Sequence, residues 1–107
     1  MWEESLKRYD EIVSRCERFE RKGKSMPFTS ANGYMFSLLN KSGELGIRFS
    51  KEKQKQYVEE WDSDLFKSYG ATMRGYVLIK EEMFENPDLL TSLLNESFDY
   101  VMSLPPK

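Results

Sequence analysis

Apolar side chains recur at intervals of three and four over residues 3–22: Leu6, Tyr9, Ile12, Val13, Cys16 and Phe19. That spacing predicts an amphipathic helix with one buried stripe. Glu3 and Glu4 in its first turn, and Arg21, Lys22 and Lys24 near its end, complement the helix dipole, and Gly23 is a natural stop. The period then changes. Over residues 32–49 two apolar runs flank Lys41-Ser42-Gly43-Glu44, a short polar reversal containing a glycine, and this predicts a β-hairpin. In the second run Leu45, Ile47 and Phe49 share one face and Gly46 and Arg48 the other. The first run is apolar on both faces, as in a strand covered on both sides or placed at the centre of a sheet. Between the helix and the hairpin, residues 24–33 predict an extended segment entering a turn, with Met26-Pro27-Phe28 as an edge strand.

After the hairpin Ser50 is an N-cap and Glu52 lies in the first turn of a short helix reaching Glu60, whose buried face would be Tyr57, Val58 and Trp61. Asp62-Ser63-Asp64 ends it. Leu65, Phe66, Tyr69 and Gly70 follow, and Tyr76-Val77-Leu78-Ile79 predicts a third principal strand. Asn86-Pro87-Asp88 supplies a cap, a proline at the first helical position and an acid at the second. Leu90, Leu93, Leu94, Ser97, Phe98 and Val101 continue that helix, and Pro105 and Pro106 close it. The order is helix, strands, helix, strand, helix. Strands joined by a tight hairpin are antiparallel, which rules out a parallel doubly wound fold. The economical architecture is α+β in two layers, an antiparallel sheet with helices packed mainly on one face. No repeat or linker divides residues 1–107, so one domain is expected.

Composition narrows the function. The chain of 107 residues supports one modest core, in which a 14% aromatic share makes rings prominent. A net charge of −2 does not mark a nucleic-acid-binding protein. No apolar run approaches the roughly 18 residues of a membrane span, and Met1-Trp2-Glu3-Glu4 does not open a signal peptide. The single cysteine, Cys16, fits a reducing compartment, and a cytoplasmic location is expected. Histidine is absent, which removes the commonest neutral-pH base and metal ligand together. No cofactor or metal is expected.

Three groups of residues carry potential chemistry. Thr29-Ser30-Ala31-Asn32-Gly33 is dense in hydroxyl and amide groups and reads either as a ligand-facing loop or as a turn tied down by its own local hydrogen bonds. The acids Glu59, Glu60, Asp62 and Asp64, and Glu81, Glu82 and Glu85, read as solvated charge at helix ends. Arg15, Arg18 and Arg21 would share one face of the first helix and, with Lys22 and Lys24, form the one plausible phosphate-contacting stripe. Glu17 and Glu20 interrupt it, so direct nucleic-acid binding is not expected.

Three stretches together resemble small bacterial proteins of the TfoX/Sxy type, related to the amino-terminal domain of competence regulators. They are Lys24-Ser25-Met26-Pro27-Phe28-Thr29-Ser30-Ala31-Asn32-Gly33-Tyr34-Met35-Phe36-Ser37; Tyr69-Gly70-Ala71-Thr72-Met73 with Tyr76-Val77; and Ser97-Phe98-Asp99-Tyr100-Val101 with Ser103-Leu104 and Pro106-Lys107. The resemblance implies a two-layer α+β fold shared with secretion chaperones. The namesake regulators promote transcription of competence genes together with a partner activator, and they carry a second domain that has no counterpart in this sequence. Many relatives have histidine where Tyr34 stands and an acid near Gly75; tyrosine does not replace histidine as a base at neutral pH.

The resulting expectation is a non-enzymatic, cytoplasmic protein-interaction module of competence-regulator type. It would use an uncovered face or edge of its sheet to hold a protein partner (a transcription activator, by analogy) or a second copy of itself. Its candidate contacts are Thr29, Ser30, Asn32, Tyr34, Arg48, Tyr69 and Tyr76. The alternative is a small-molecule-binding protein or enzyme with a cleft at Thr29, Ser30, Asn32 and Tyr69.

Overall fold

A computed structural model describes residues 2–68 and 70–107. The elements run α1 (Trp2–Ser14), β1 (Phe28–Ala31), β2 (Tyr34–Leu39), β3 (Leu45–Arg48), α2 (Lys51–Glu60), β4 (Leu65–Ser68), β5 (Ala71–Ile79), α3 (Glu81–Phe84) and α4 (Pro87–Met102). All strand pairings are antiparallel, in the order β1-β2-β3-β5-β4. The expected α+β architecture is therefore present, with an antiparallel sheet and the main core between it and the helices. The hairpin across residues 40–44 pairs Leu39 with Leu45, and Leu45, Ile47 and Phe49 all enter that core.

The first helix is shorter than its apolar stripe. It ends at Ser14, where the N–H groups of Arg15 and Cys16 bond back to the carbonyls of Ile12 and Val13, one residue tighter than in an α-helix. Cys16 and Phe19 are buried all the same, from an irregular segment. Phe19 meets Phe36 of β2 edge-on at 5.0 Å and stacks on Phe98 of α4 at 5.4 Å. Packing thus overrides helix propensity: the sequence pattern reported burial correctly and helix incorrectly. Gly23, with φ of 82°, turns the chain within a loop whose base is the Lys22–Phe28 bridge rather than stopping a helix.

Four further elements differ from the expectation. Thr29, Ser30 and Ala31 belong to strand β1, and only Asn32 and Gly33 form the turn. Both have positive φ (57° and 86°), the backbone that a two-residue hairpin turn of matching twist requires. β4 is an additional edge strand, and β5 begins at Ala71, well before Tyr76. A single turn, α3, precedes α4.

A register slip in β1–β2 distributes the apolar first run. Thr29 lies opposite Ser37 but Ser30 lies opposite Met35, so β2 carries an extra residue there. Phe36 and Leu39 join the helix-side core, whereas Met35 and Leu38 join a second cluster on the other face. The Ser37 hydroxyl meets the Tyr9 hydroxyl of α1 at 2.5 Å and also pairs with Thr29, so three buried hydroxyls satisfy one another. α2 and α4 begin as expected, with the Ser50 side chain accepting from Lys53 N–H and that of Asn86 from Leu89 N–H. Tyr57 stacks on Trp61 at 4.2 Å and packs edge-on against Phe49.

Two of these core tyrosines set an alkaline limit. Burial drives the Tyr9 hydroxyl far above its ordinary pKa. Tyr57 is pushed up to about 12 by burial first, then by its hydrogen bond to Glu96 and that residue's charge. The folded form holds both protons more tightly than the unfolded chain, where tyrosine titrates near about 10. Their contribution to stability is complete below that pH and disappears as pH rises through the folded-state values. The urea midpoint should be flat to about pH 9 and fall beyond about pH 10, with a shallower fall in Tyr57→Phe. A fall of equal steepness in wild type and variant would contradict the assignment.

Candidate functional site

The residues around the Asn32–Gly33 turn fasten the chain to itself. Asn32 Nδ2 donates to the carbonyls of Val101 and Leu104, at 2.9 Å each, and so caps the C-terminus of α4. Its own carbonyl accepts from Lys107 N–H, and the Tyr34 hydroxyl donates to the Pro105 carbonyl at 2.6 Å. A Cβ on Gly33 would lie 2.6 Å from that of Lys107, so the closing segment is seated directly on the turn. Thr29 is fully buried and its hydroxyl is engaged with Ser37. At Asn32 and Gly33 the space of the expected cleft is therefore taken by the end of α4 and the residues after it, at Thr29 it is closed by Ser37, and the hydrogen bonds of Asn32 are long-range rather than local.

Asn32→Ala should destabilise the fold by about 2 kcal/mol, through the two lost caps and the unfavourable left-handed backbone. Asn32→Gly should cost less, because glycine accepts positive φ. Chemical denaturation of the pair measures the difference; equal losses would remove the conformational part of the argument.

Arg48, Tyr34 and Tyr100 do come together. The Arg48 guanidinium lies 5.4 Å from the Tyr34 ring and 5.8 Å from that of Tyr100, within cation–π range. Gly75, with φ of 84°, leaves room for the Arg48 stem, whose Cγ would stand 3.3 Å from an added Cβ. Tyr76 is buried, donates to the Met35 carbonyl at 2.8 Å and stacks on Phe66 at 5.9 Å. Ser30 is half-buried on the edge strand β1. Tyr69 lies outside the described residues.

The basic stripe is not a helical face. Arg15, Arg18 and Arg21 follow the end of α1, and each meets a carboxylate of this chain: Asp88 at 3.1 Å, Asp99 at 2.8 Å and Asp10 at 2.6 Å. Arg21 and Asp10 form a two-point contact, Nε and Nη2 donating to the two oxygens, and Arg18 also bonds Asn95 and lies over the Phe98 ring. These pairs tie the segment after α1 to α1 itself and to α4, and they engage three of the five cations the stripe would offer a phosphate backbone.

What the sequence pattern did not identify is which residues make up the uncovered face of the sheet. Leu38, Phe66 and Tyr76 form a buried cluster there, with half-buried Met26, Phe28, Met35, Met73 and Leu78 packed around it. Among the described residues no helix contributes a side chain to it. Gly46 lies beneath the Phe66 ring, and the absence of a side chain is what admits the ring. The alternation of Phe66 and Ser68, buried, with Leu65 and Lys67, exposed, is the signal that marks β4. Further along this side, beyond β2's far end, Asn40 and Ser68 form the floor of an open cavity of about 560 Å³. Asn40 Nδ2 donates to Glu44 Oε1 and the Lys67 carbonyl, and its Oδ1 accepts from the N–H groups of Ser42 and Glu44.

The acids at Glu59, Glu60, Asp62 and Asp64 are exposed, and among the described residues no group of three or more carboxylate or thiol side chains is placed to hold a metal ion. Cys16 is buried, and burial pushes its thiol up, away from the thiolate form. Among the described residues no helix is long and apolar enough to cross a membrane. No protein-family model matches the chain, and no curated protein matches it.

Proposed function

We propose that this chain is a non-enzymatic, cytoplasmic protein-interaction module that holds an apolar segment of a protein partner against the helix-free face of its sheet. The observation that carries the reading is that face itself: a buried Leu38–Phe66–Tyr76 centre with partly exposed Met26, Met35 and Met73 around it. Methionine adapts its shape to different partners, and aromatic rings bury large areas at little entropic cost. β1 and β4 are the edge strands, and with Phe28 of β1 already bridged to Lys22, strand addition would be favoured at the β4 edge. The lack of histidine and the raised pKa of Cys16 favour binding over nucleophilic or acid–base chemistry. The resemblance to competence regulators points to a regulatory partner, and the internal pairing of Arg15, Arg18 and Arg21 favours a protein over DNA.

A photo-crosslinking side chain placed at Met73, compared with one at exposed Glu59 on α2, tests this in cells. A discrete adduct to another polypeptide from position 73 alone, lost when Met35→Asp is added to a chain that still folds, is the expected result. Adducts from neither position, or equally from both, would sink the proposal.

A further inference from the structure

In residues 15–22 the local sequence and the tertiary contacts favour different backbones. Along the sequence the segment continues α1. Cys16 and Phe19 prolong the apolar stripe, and neither glycine nor proline occurs before Gly23. Glu11 stands four positions before Arg15 and Glu17 four before Arg21, the order of acid and base that stabilises a helix. In the fold the segment is irregular instead. The N–H groups of Glu17, Arg18, Phe19, Glu20 and Arg21 have no acceptor among the described residues, whereas a helix would pair each with the carbonyl four positions back. The contacts that hold the irregular form are mostly distant ones. Arg15 and Arg18 pair with Asp88 and Asp99 of α4, Lys22 bridges to Phe28, and Phe19 packs against Phe36 and Phe98. Asp88 and Asp99 are 94% and 64% exposed, and ion pairs so open to water contribute little each. Phe19 is therefore the main anchor, and the two pairs act as a latch.

We propose that residues 15–22 are a two-state element, anchored in the irregular form by Phe19 and latched by Asp88 and Asp99, and able to refold as a continuation of α1 to Lys22. Opposed local and tertiary preferences bring two arrangements of one segment close in free energy. The helical form satisfies the five N–H groups that the irregular one leaves without a partner in the chain. Gly23 already has the positive φ of a helix stop, 82°. The change withdraws Phe19 from the aromatic core and releases Arg15 and Arg18 from α4 onto one flank of a longer helix, so it alters core and surface charge together. It does not depend on a partner at the sheet face.

Cα chemical shifts and amide exchange of the isotopically labelled full chain provide the test. Asp88→Asn/Asp99→Arg removes both pairs to α4 at exposed positions, so the chain should fold as wild type does. Its Cα shifts over residues 17–22 should move toward helical values, and the N–H groups of residues 17–21 should gain protection from exchange. Adding Phe19→Ser should complete the change. Serine and phenylalanine have similar helix propensities, so the gain of helix would report the lost packing rather than the new residue. Random-coil shifts over residues 17–22 in the combined variant would mean that the segment detaches without refolding, and would overturn the proposal. Wild-type shifts in either variant, with the rest of the spectrum native, would overturn it too. If the combined variant does not fold, the charge variant alone decides.

Discussion

Phe36→Ala should remove about 3–5 kcal/mol of stability, the range for truncating a fully buried aromatic ring. Phe36 is fully buried on β2, and its ring meets Phe19 at 5.0 Å and Phe98 at 6.0 Å, both edge-on. It is the point at which the irregular segment after α1, the sheet and α4 are joined. Removing it leaves a cavity with three separate walls, and Phe19 has no helix of its own to hold it in place. A chain of this size has a total stability on the order of 5–15 kcal/mol, so the loss is a large share of the whole. Urea denaturation should show it as a lower midpoint with little change in slope. Phe36→Leu, which keeps most of the volume, should cost less than half as much. A loss below about 1.5 kcal/mol for the alanine variant would mean that the three aromatic rings do not form a shared core.

Gly46→Ala should cost about 2–3 kcal/mol even though it adds a single methyl group, because overpacking a filled cluster forces backbone and rotamer shifts. Gly46 is not a turn glycine: its φ is not positive, and it lies within strand β3 opposite Leu38 and Leu78. An added Cβ would stand 2.7 Å from Cδ1 of Phe66 and closer still to Cγ and Cδ2. The ring is fully buried and lies between Gly46 and the Tyr76 ring, so it has no nearby vacancy to enter. A double-mutant cycle isolates the cause. With Phe66→Ala already present, the Gly46→Ala penalty should vanish, and alanine's higher strand stability should then appear as a gain of about 0.5–1 kcal/mol. Additive losses would show that Gly46 is required for some reason other than the ring above it. The Gly46→Ala protein should also lose crosslinking at Met73, since displacing Phe66 disrupts the cluster on which the proposed partner surface is built.

The element types were largely legible from sequence, and particular residues show why. The helix starts at Ser50 and Asn86 are local hydrogen-bonding events, each made by a side chain to an N–H three residues on. The hairpin at residues 40–44 is likewise local, as is the face-sharing of Leu45, Ile47 and Phe49. The end of α1 was not legible, because the apolar spacing continues unbroken through Phe19 while the backbone leaves the helix to reach Phe36 and Phe98. β1 was obscured by its own polarity: Thr29 and Ser30 read as loop residues until the Tyr9–Ser37–Thr29 hydroxyl chain shows what they pair with. In sequence the whole polar run Thr29 to Gly33 reads as one turn or loop, which hides the two-residue hairpin signal of Asn32-Gly33.

The candidate residues separate along the same line. Thr29, Asn32, Tyr34 and Tyr76 are polar groups near an apolar strand, and sequence alone cannot say whether such groups face solvent or the chain's own carbonyls. Here their partners are Ser37, Val101 and Leu104, Pro105 and Met35, all but the first and last about seventy positions away. The same long-range closure turns Arg15, Arg18 and Arg21 from a basic stripe into three internal ion pairs.

By itself, then, the sequence determined the class of fold, the central hairpin, the capped helices α2 and α4, and a composition poorly suited to acid–base or metal chemistry. These rest on short-range periodicity, capping and residue supply, all of which are properties of neighbours along the chain. Only the tertiary structure decided which polar groups are already satisfied and which are left open. Among the described residues it covered the Asn32–Gly33 turn with the end of α4, paired the arginines, left one sheet face without a helix, and buried the Ser68 hydroxyl without a partner. Hydrogen-bond satisfaction and surface coverage depend on contacts between residues distant in sequence, so they come into being only when the layers pack.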